Sequence, residues 1–371
     1  FSLSRADENL IHIVGMYKCG TSWLTHVLAA HPEVIAWREF DIIRAAYENQ
    51  KGPTPNRIVN RLRRLLRLSP KAPLRQQLKL RAAEQVVQQL FQGRGWIPIM
   101  GEEKRAAAGA LDAGDSGAFL DALIELGDYK LQSDDAPPLD PKQYHNTLSI
   151  VNSRRGDLLA FIERVRDSND LAEVPNYYFD YLQGQCQPGT PMVLKAADQI
   201  MCFDQLHAAS PDSTKIVIMR DGRDAAISAM HFGKLMKKWD APWQAKQLSY
   251  QDRLSAWATR AAALATQCQQ HDILVLRYED LHQDFDSVCK KLFTRLGIAA
   301  DSELIEKIYQ QTNFEAVSGG RKPGQAAEDV VRKGMVGEWR EALSEEEAKI
   351  AWRIAGKELS QFGYTETGEY V

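Results

Sequence analysis

Long hydrophobic runs are missing from this chain of 371 residues. No stretch of about 18 apolar residues occurs, so the sequence predicts no membrane-spanning helix. Cysteine is also scarce: the five cysteines have neither the spacing of a metal site nor the even number of a disulfide framework. Glycosylation acceptors of the form Asn-x-Ser/Thr are absent, which favours a cytoplasmic protein. Because the chain begins at Phe1, a signal or anchor further upstream is left open.

The first loop lacks a lysine where nucleoside triphosphatases need one. Residues 11–23 read IHIVGMYKCGTSW, an apolar run that leads into a loop between two glycines. Gly15 and Gly20 hold the glycine positions of a Walker A loop, but Thr21 stands where its lysine belongs. The backbone N–H groups of such a loop and the start of the next helix still bind phosphate. Because Lys18 comes before the second glycine, we expect a different phosphate-bearing cofactor.

A second basic motif follows an apolar run in the middle of the chain. Residues 215–228 read KIVIMRDGRDAAIS, and the apolar part predicts a strand that delivers Arg220 at its carboxyl end. Ser228 then lies about one turn into the next helix. A guanidinium offers paired donors to a phosphate, and a serine hydroxyl adds a short neutral one. Three neighbouring charged residues are expected to form helix-start and surface ion pairs: Asp221, Arg223 and Asp224.

A third motif lies near the C-terminus, where residues 331–340 read VRKGMVGEWR. In this order the three motifs resemble the cofactor motifs of sulfotransferases that use 3′-phosphoadenosine-5′-phosphosulfate (PAPS). Residues 18–23, KCGTSW, resemble the 5′-phosphosulfate loop P-K-S-G-T-T-W, and residues 215–228 resemble the 3′-phosphate motif. Residues 331–340 resemble the C-terminal segment R-K-G-x-x-G-x-W-K. Arg340 stands where the family has lysine, a departure that is not expected to affect phosphate binding.

The resemblance implies a role for each matching residue. The 5′-phosphosulfate group would be held by Lys18, Cys19, Gly20, Thr21, Ser22 and the neighbouring Trp23. The 3′-phosphate would be held by Arg220, Ser228, Arg332, Lys333 and Gly334. Lys18 would neutralise the charge that builds on the bridging oxygen, and Ser228 would hold Lys18 back until the acceptor arrives.

Two shorter matches imply a pocket for the adenine base. Residues 276–281, LRYEDL, resemble a strand end of the family whose tyrosine contacts adenine, which points to Tyr278. Residues 312–314, TNF, resemble a T-x-F step, which points to Thr312 and Phe314. Together with Trp23, these side chains would hold a flat ring between aromatic faces.

The resemblance implies two alternatives for the general base, because the family uses two different residues. Cytosolic members have a histidine in a K-T-H step, but here residues 195–197 read KAA. Tyrosylprotein sulfotransferases use a glutamate after a stretch that resembles residues 31–34, HPEV, and the matching position holds Glu39. We therefore expect Glu39 to accept the proton. The alternatives are Glu102 and Glu103, followed by Asp198.

The order of elements predicts an α/β fold. Strand patterns occur at residues 10–15, 192–194, 216–219 and 273–276, and a helix is expected from Ser22 to Ala30. Strands that alternate with helices form a parallel sheet covered by helices on both faces, which here would be P-loop-like. We expect one sulfotransferase domain over residues 1–371. A large, mostly helical insertion at about 44–190 would shape acceptor binding.

Positive charge is concentrated in one segment of that insertion. Ten of the 46 Lys and Arg residues lie in residues 51–83, which contain no Asp or Glu. The segment is either a solvated helical arm or a surface that contacts a membrane or an anionic acceptor. It lacks the interleaved aromatic residues typical of nucleic-acid binding, so no nucleic acid is expected. The acceptor itself is open among a glycan, a lipid, a peptide and a small alcohol, and membrane association would accompany a cytoplasmic location.

Two other functions compete with sulfuryl transfer. A P-loop kinase would need a lysine directly after Gly20 and an acidic ligand for Mg²⁺ on a neighbouring strand; the chain has Thr21 and Arg220 there. A non-catalytic protein that binds a nucleotide or docks on a membrane would suit the missing histidine and the basic segment. The presence of Lys18 favours the enzyme.

Overall fold

A parallel sheet of five strands forms the centre of this computed structural model. The strands are β1 Leu10–Gly15, β2 Ile35–Trp37, β3 Met192–Ala197, β4 Thr214–Met219 and β5 Ile273–Arg277. Their order in the sheet is β2-β3-β1-β4-β5, and every pair is parallel. The predicted α/β fold with a parallel sheet is therefore confirmed. The three-residue strand β2 was not predicted, because a stretch this short has no readable alternation.

The structure describes residues 9–37, 110, 113–121, 155–168, 174–184, 187–197, 199–238, 248–328 and 331–370. The chain divides into two compact units. The first unit consists of residues 1–39, 189–203 and 210–371, and the second of residues 40–188 and 204–209. The second unit contains most of the predicted insertion, whose part in acceptor binding stays a prediction.

Helices follow most of the strands, and several begin at recognisable caps. They are α1 Thr21–Ala29, α2 Arg155–Asp167, α3 Val174–Gln183, α4 Phe203–Ala209, α5 Gly222–Lys238, α6 Tyr250–Gln270, α7 Tyr278–Gln283, α8 Phe285–Arg295, α9 Ser302–Thr312, α10 Phe314–Val317, α11 Trp339–Ala342 and α12 Glu345–Gln361, with a 3-10 turn at Gln199–Cys202. Ser249 and Ser344 form capping boxes at the starts of α6 and α12, because each hydroxyl accepts a backbone N–H three residues later. Within the described ranges, no helix is long and apolar enough to cross a bilayer.

The core of the first unit lies against the central strands. All six residues of β1 are buried, so both faces of the sheet are covered, as a parallel sheet requires. On one face, Ile13 of β1 and Ile218 of β4 share a buried cluster with Leu24 of α1 and Leu292 of α8. On the other face, the fully buried His12 has its Nε2 3.0 Å from the Ser210 hydroxyl oxygen.

The sheet register brings two candidate site segments to one edge. Ile13 of β1 pairs with Lys195 of β3 on one side and with Ile216 of β4 on the other. The carboxyl ends of three adjacent parallel strands therefore meet at the same edge, where α/β sheets bind their ligands. The loop containing Lys18 follows β1, and Arg220 follows β4 directly.

Candidate functional site

The predicted phosphate loop joins β1 to α1 through a sharply turned backbone. Lys18 has a φ of 64° and Gly20 a φ of 98°, and such alternating conformations direct backbone N–H groups into an anion-binding concavity. A Cβ atom on Gly15 would lie 1.8 Å from Cγ2 of Thr21. The loop therefore has to begin with glycine, because its first residue lies directly against the first turn of α1.

Lys18 lies among other positive charges. Burial and the charges of Arg220, Lys195 and Arg332 lower the pKa of Lys18 to about 8. The ammonium nitrogen of Lys18 lies 4.4 Å from the centre of the Phe232 ring on α5, a favourable cation–π contact. Lysine and arginine side chains that crowd together in this way repel one another, so the cluster has the charge of an anion-binding site.

The two arginines of this cluster share a pattern of hydrogen bonding. Arg220 is 8% exposed and donates from Nη2 to the Met335 carbonyl oxygen at 2.8 Å. Arg332 donates from Nη2 to the Glu338 carboxylate. The Nε atom of each guanidinium is buried and has no hydrogen-bond partner among the described residues. A buried donor without a partner is costly, and such groups are typical of sites where a ligand supplies the acceptor.

Asp224 joins the second motif to the third. Its two carboxylate oxygens accept the backbone N–H groups of Gly337, at 2.7 Å, and of Trp339, at 2.9 Å. The same carboxylate lies 3.6 Å from Nη2 of Arg220. Burial raises the pKa of Asp224. One carboxylate on the first turn of α5 therefore anchors the C-terminal segment that carries Arg332.

The expectation of surface ion pairs at this position is wrong. Asp221 and Arg223 are each 1% exposed and pair at 2.7 Å, and Asp224 is fully buried. The guanidinium of Arg223 also lies 3.7 Å from the centre of the Trp339 ring. Segments that lie far along the chain cover these charges, and the local pattern of alternating charge cannot show this. The one sequence feature that could have indicated this burial is Trp339, because it belongs to the third motif and its ring contacts Arg223.

The remaining residues of the third motif are also held by contacts. The Lys333 ammonium lies 3.6 Å from one Glu338 oxygen and 3.8 Å from Glu341. Gly334 has a φ of 59°, and a Cβ atom there would lie 2.2 Å from the ring of Phe314. The structure therefore brings Gly334 and Phe314, two predicted site residues, into direct contact.

Arg321 is a structural support that the sequence did not reveal. It donates to the carbonyl oxygens of Val331, at 2.6 Å, and Arg332, at 2.9 Å. Its guanidinium lies 5.5 Å from the centre of the Phe314 ring. The backbone on both sides of the Arg332 side chain is therefore fixed by an arginine from a loop with no motif of its own.

The predicted adenine residues divide into two groups. Trp23 and Tyr278 meet edge to face with ring centres 5.4 Å apart, and His282 lies 4.7 Å from Trp23. Phe314 contacts Gly334 instead. The buried hydroxyl of Thr312 donates to the Ile308 carbonyl oxygen at 2.7 Å within its own helix, so only its acceptor capacity remains for a ligand.

The small side chains of the predicted site lie in different environments. Thr21 and Cys19 are buried, whereas Ser22 is exposed. Burial raises the pKa of Cys19 to about 12, so its thiol stays protonated. Ser228 is half-buried on α5, one turn before Phe232. In the part of the chain that the structure describes, no hydrogen bond joins Ser228 to Lys18.

A cavity of about 330 Å³ lies beside the third motif. Its walls include Glu279 and His282 of α7, Gly334 and Met335 of the third motif, and Tyr370 near the C-terminus. Burial and the charge of Arg220 lower the pKa of His282 to about 4, so its imidazole is uncharged near neutral pH. The cavity lies within the size range of small-ligand sites.

Several candidates lie outside the described residues. They are the expected base Glu39, its alternatives Glu102, Glu103 and Asp198, and the basic segment 51–83. Their assignments therefore stay predictions.

Parts of the chain are similar to known sulfotransferases. Residues 202–363 match the family model described as the sulfotransferase domain. Sulfotransferase 1B1 of Mus musculus is 25% identical over 140 residues, which are 34% of this chain and 47% of that protein. The amine sulfotransferase of Oryctolagus cuniculus is 25% identical over 166 residues, 40% of this chain and 54% of that protein. The chain thus spans about half the length of the curated relatives it matches. A crystal structure of retinol dehydratase with retinol and PAP has a TM-score of 0.42 at 15% identity, over 95% of this chain and 81% of that one.

Proposed function

We propose that this chain transfers a sulfuryl group from PAPS to an acceptor hydroxyl or amine, a proposal supported by the match of residues 202–363 to the sulfotransferase domain model. One observation carries the proposal. The guanidinium groups of the buried Arg220 and the half-buried Arg332 lie close enough to Lys18 to lower its pKa, and each has a buried Nε–H group without a partner in the described ranges. A phosphate supplies the acceptor oxygens that such donors lack.

The residues present fit PAPS in type and position. We define the 3′-phosphate clamp as Arg220, Ser228, Arg332, Lys333 and Gly334. The loop from Lys18 to Ser22 would hold the 5′-phosphosulfate group through its backbone N–H groups and the start of α1. Trp23, Tyr278, Thr312 and Phe314 would line the adenine site. This assignment uses all three motifs at one edge of the sheet.

The proposed chemistry is an in-line displacement at sulfur. When bound in this site, PAPS would supply an activated sulfuryl group for the acceptor, with the 5′-phosphate as the leaving group. Lys18 has a pKa of about 8, so at neutral pH it is an ammonium that can neutralise charge on the bridging oxygen. A charged donor is effective only when it is held in position. The contact with Phe232 and the repulsion by the neighbouring cations restrict where the Lys18 ammonium can lie.

A base has to remove the acceptor proton, and we assign that role to Glu39. The support is the resemblance of residues 31–34 and of the position that follows. Glu39→Gln is expected to lower turnover more than PAPS affinity, because an amide cannot accept the acceptor's proton at neutral pH. Full activity in this variant would transfer the role to Glu102 or Glu103.

The acceptor would be selected by residues of about 44–190. The basic segment 51–83 supports an anionic or membrane-associated acceptor, and the classes to test are a glycan, a lipid, a peptide and a small alcohol. The assay is a mass-spectrometric screen for sulfuryl transfer from PAPS to members of each class.

Two comparisons test the proposal. In calorimetric titration, 3′-phosphoadenosine-5′-phosphate (PAP) should bind more tightly than AMP, because the 3′-phosphate clamp distinguishes them. In the transfer assay, Lys18→Met should abolish activity, and Lys357→Met, which changes an exposed lysine on α12, should not. Equal binding of PAP and AMP would contradict the clamp. Selective PAP binding without transfer to any acceptor class would favour a non-catalytic nucleotide-binding protein.

A further inference from the structure

The end of the chain forms a small hairpin. Tyr364 and Tyr370 pair as an antiparallel bridge, and the Thr365 N–H donates to the Glu369 carbonyl oxygen at 3.0 Å. The turn depends on Gly368, whose φ is 89°. We call residues 364–370 the tail hairpin. It lies more than 20 residues beyond the last cofactor motif, and neither the motifs nor the proposed chemistry assigns it a role.

Two arginines bind the carbonyl oxygens of the tail hairpin. Arg223 donates from Nη2 to Thr365, at 2.9 Å, and from Nη1 to Glu366, at 2.8 Å. Arg340 donates from Nη2 to Gly368 at 2.6 Å, and its Nε lies 3.4 Å from the Thr367 carbonyl oxygen. Four consecutive carbonyl groups are therefore bound by two guanidinium forks. A lysine has a single nitrogen and cannot reproduce the fork geometry.

Both guanidinium groups also contact the ring of Trp339. Arg223 lies 3.7 Å and Arg340 5.2 Å from its centre. A Cβ atom on Gly368 would lie 2.3 Å from Arg340 Nη2 and 2.8 Å from the Trp339 ring. The tail hairpin therefore packs tightly against the tryptophan, and the two arginines hold both in place.

Trp339 continues this chain of contacts into the 3′-phosphate clamp. Its backbone N–H, with that of Gly337, is held by the Asp224 carboxylate, which pairs with Arg220. Arg220 in turn donates to the Met335 carbonyl oxygen, next to Gly334. The backbone from Gly334 to Trp339 is thus fixed on one side by α5 and on the other by the tail hairpin.

We propose that Arg340, together with the tail hairpin, positions the 3′-phosphate clamp. The proposal rests on the proposed function and adds a positioning residue outside the phosphate contacts themselves. Arg340 matches a lysine of the family and was expected to be neutral for the clamp. Its guanidinium instead fixes Trp339 and thereby the backbone on which Arg332, Lys333 and Gly334 are carried.

The test compares PAP with AMP in a conservative variant. Arg340→Lys keeps the positive charge but loses the fork. We expect its dissociation constant for PAP to rise about three- to tenfold, the effect of one or two lost hydrogen bonds, with AMP binding unchanged. Arg353→Lys, which changes an exposed arginine of α12 paired with Glu346, is the matched control and should bind both nucleotides as the parent chain does.

The ratio of PAP to AMP affinity separates positioning from a merely structural role. A variant with a lower melting temperature but the parent ratio would overturn the proposal, as would an equal loss for both nucleotides. Gly368→Ala perturbs the same contacts from the side of the tail hairpin and should reduce the ratio in the same direction. If the parent chain itself binds PAP no more tightly than AMP, the proposed function is contradicted. If the parent chain prefers PAP and Arg340→Lys keeps that preference, only the positioning role of Arg340 is contradicted.

Discussion

Glu279 is expected to make this protein less stable as the pH rises towards neutrality. Its side chain is 2% exposed. One oxygen accepts the Asp221 backbone N–H at 2.9 Å, and the other accepts the Tyr364 hydroxyl at 2.9 Å. Burial raises the pKa of Glu279 from 4.5 to about 7, and the nearby Asp221 charge acts in the same direction. This carboxyl group therefore connects the second motif to the tail hairpin at an electrostatic cost.

Stability falls as the pH rises because unfolding releases the proton of Glu279. Between pH 4.5 and about 7 the folded protein holds a proton on Glu279 that the unfolded chain has lost, so rising pH favours the unfolded state. Each pH unit in this window is worth about 1.4 kcal/mol, and the whole window about 3 kcal/mol. Above the folded pKa the contribution is constant, because both states are ionised.

The variant that isolates this contribution is Glu279→Gln. The amide keeps the shape of the side chain, accepts the Asp221 N–H and donates to the Tyr364 oxygen, but it carries no charge at any pH. Urea unfolding followed by tryptophan fluorescence would give the free energy of unfolding of both proteins between about pH 5 and pH 8. Relative to the variant, the parent chain should lose about 2 to 3 kcal/mol across this range.

A matched control and a clear contrary result complete the experiment. Glu303→Gln changes an exposed carboxylate on α9 and should leave the pH dependence of the parent chain in place. Parallel stability curves for the parent chain and Glu279→Gln would refute the argument, since they would mean that Glu279 ionises in the folded protein as it does in the unfolded chain.

Three further predictions concern other parts of the first unit. Burial, with the Lys215 charge, lowers the pKa of His12 to about 3, so the free energy of unfolding should fall by about 1.4 kcal/mol per pH unit below 6.5; His12→Gln should remove this slope in urea unfolding. Because the pKa of Lys18 is about 8, PAP affinity measured by calorimetry should fall above pH 8, and Lys18→Arg should abolish that decline. Gly334→Ala should lower stability by more than the roughly 1 to 2 kcal/mol that a left-handed backbone costs a non-glycine residue, because Phe314 must also move. The control is Gly297→Ala: Gly297 has a φ of 66°, and an added Cβ atom would meet nothing within 4 Å, so this variant should lose only the backbone cost. Equal losses of the two variants in thermal unfolding would contradict the Phe314 contact.

The elements that sequence predicted best are those with a strong local pattern. The apolar runs at residues 10–15, 216–219 and 273–276 correspond to β1, β4 and β5. Strands β1 and β4 are buried on both faces, and such a strand reads as a continuous apolar run. The helix expected from Ser22 to Ala30 is observed as Thr21–Ala29. The resemblance to sulfotransferases was also readable, because the motifs that carry it are short segments in which each residue type is constrained.

Contacts between distant segments could not be predicted from the sequence. Asp224 binds backbone groups 113 and 115 residues further along the chain, and Arg223 binds carbonyl groups 142 and 143 residues away. A run of alternating charges has the same appearance whether it is solvated or buried, so Asp221, Arg223 and Asp224 were expected at the surface. Burial depends on what the rest of the chain places over a segment.

The amino-acid sequence by itself therefore determined the sheet-forming segments other than β2, the glycine-bounded loop after β1 and the resemblance to sulfotransferases, because periodicity and motif chemistry are local properties. Only the tertiary structure decided which donors are left without partners, which carboxylate anchors the third motif, and that the end of the chain folds back onto Trp339. Those outcomes arise from desolvation and from hydrogen bonds that form only when remote segments meet.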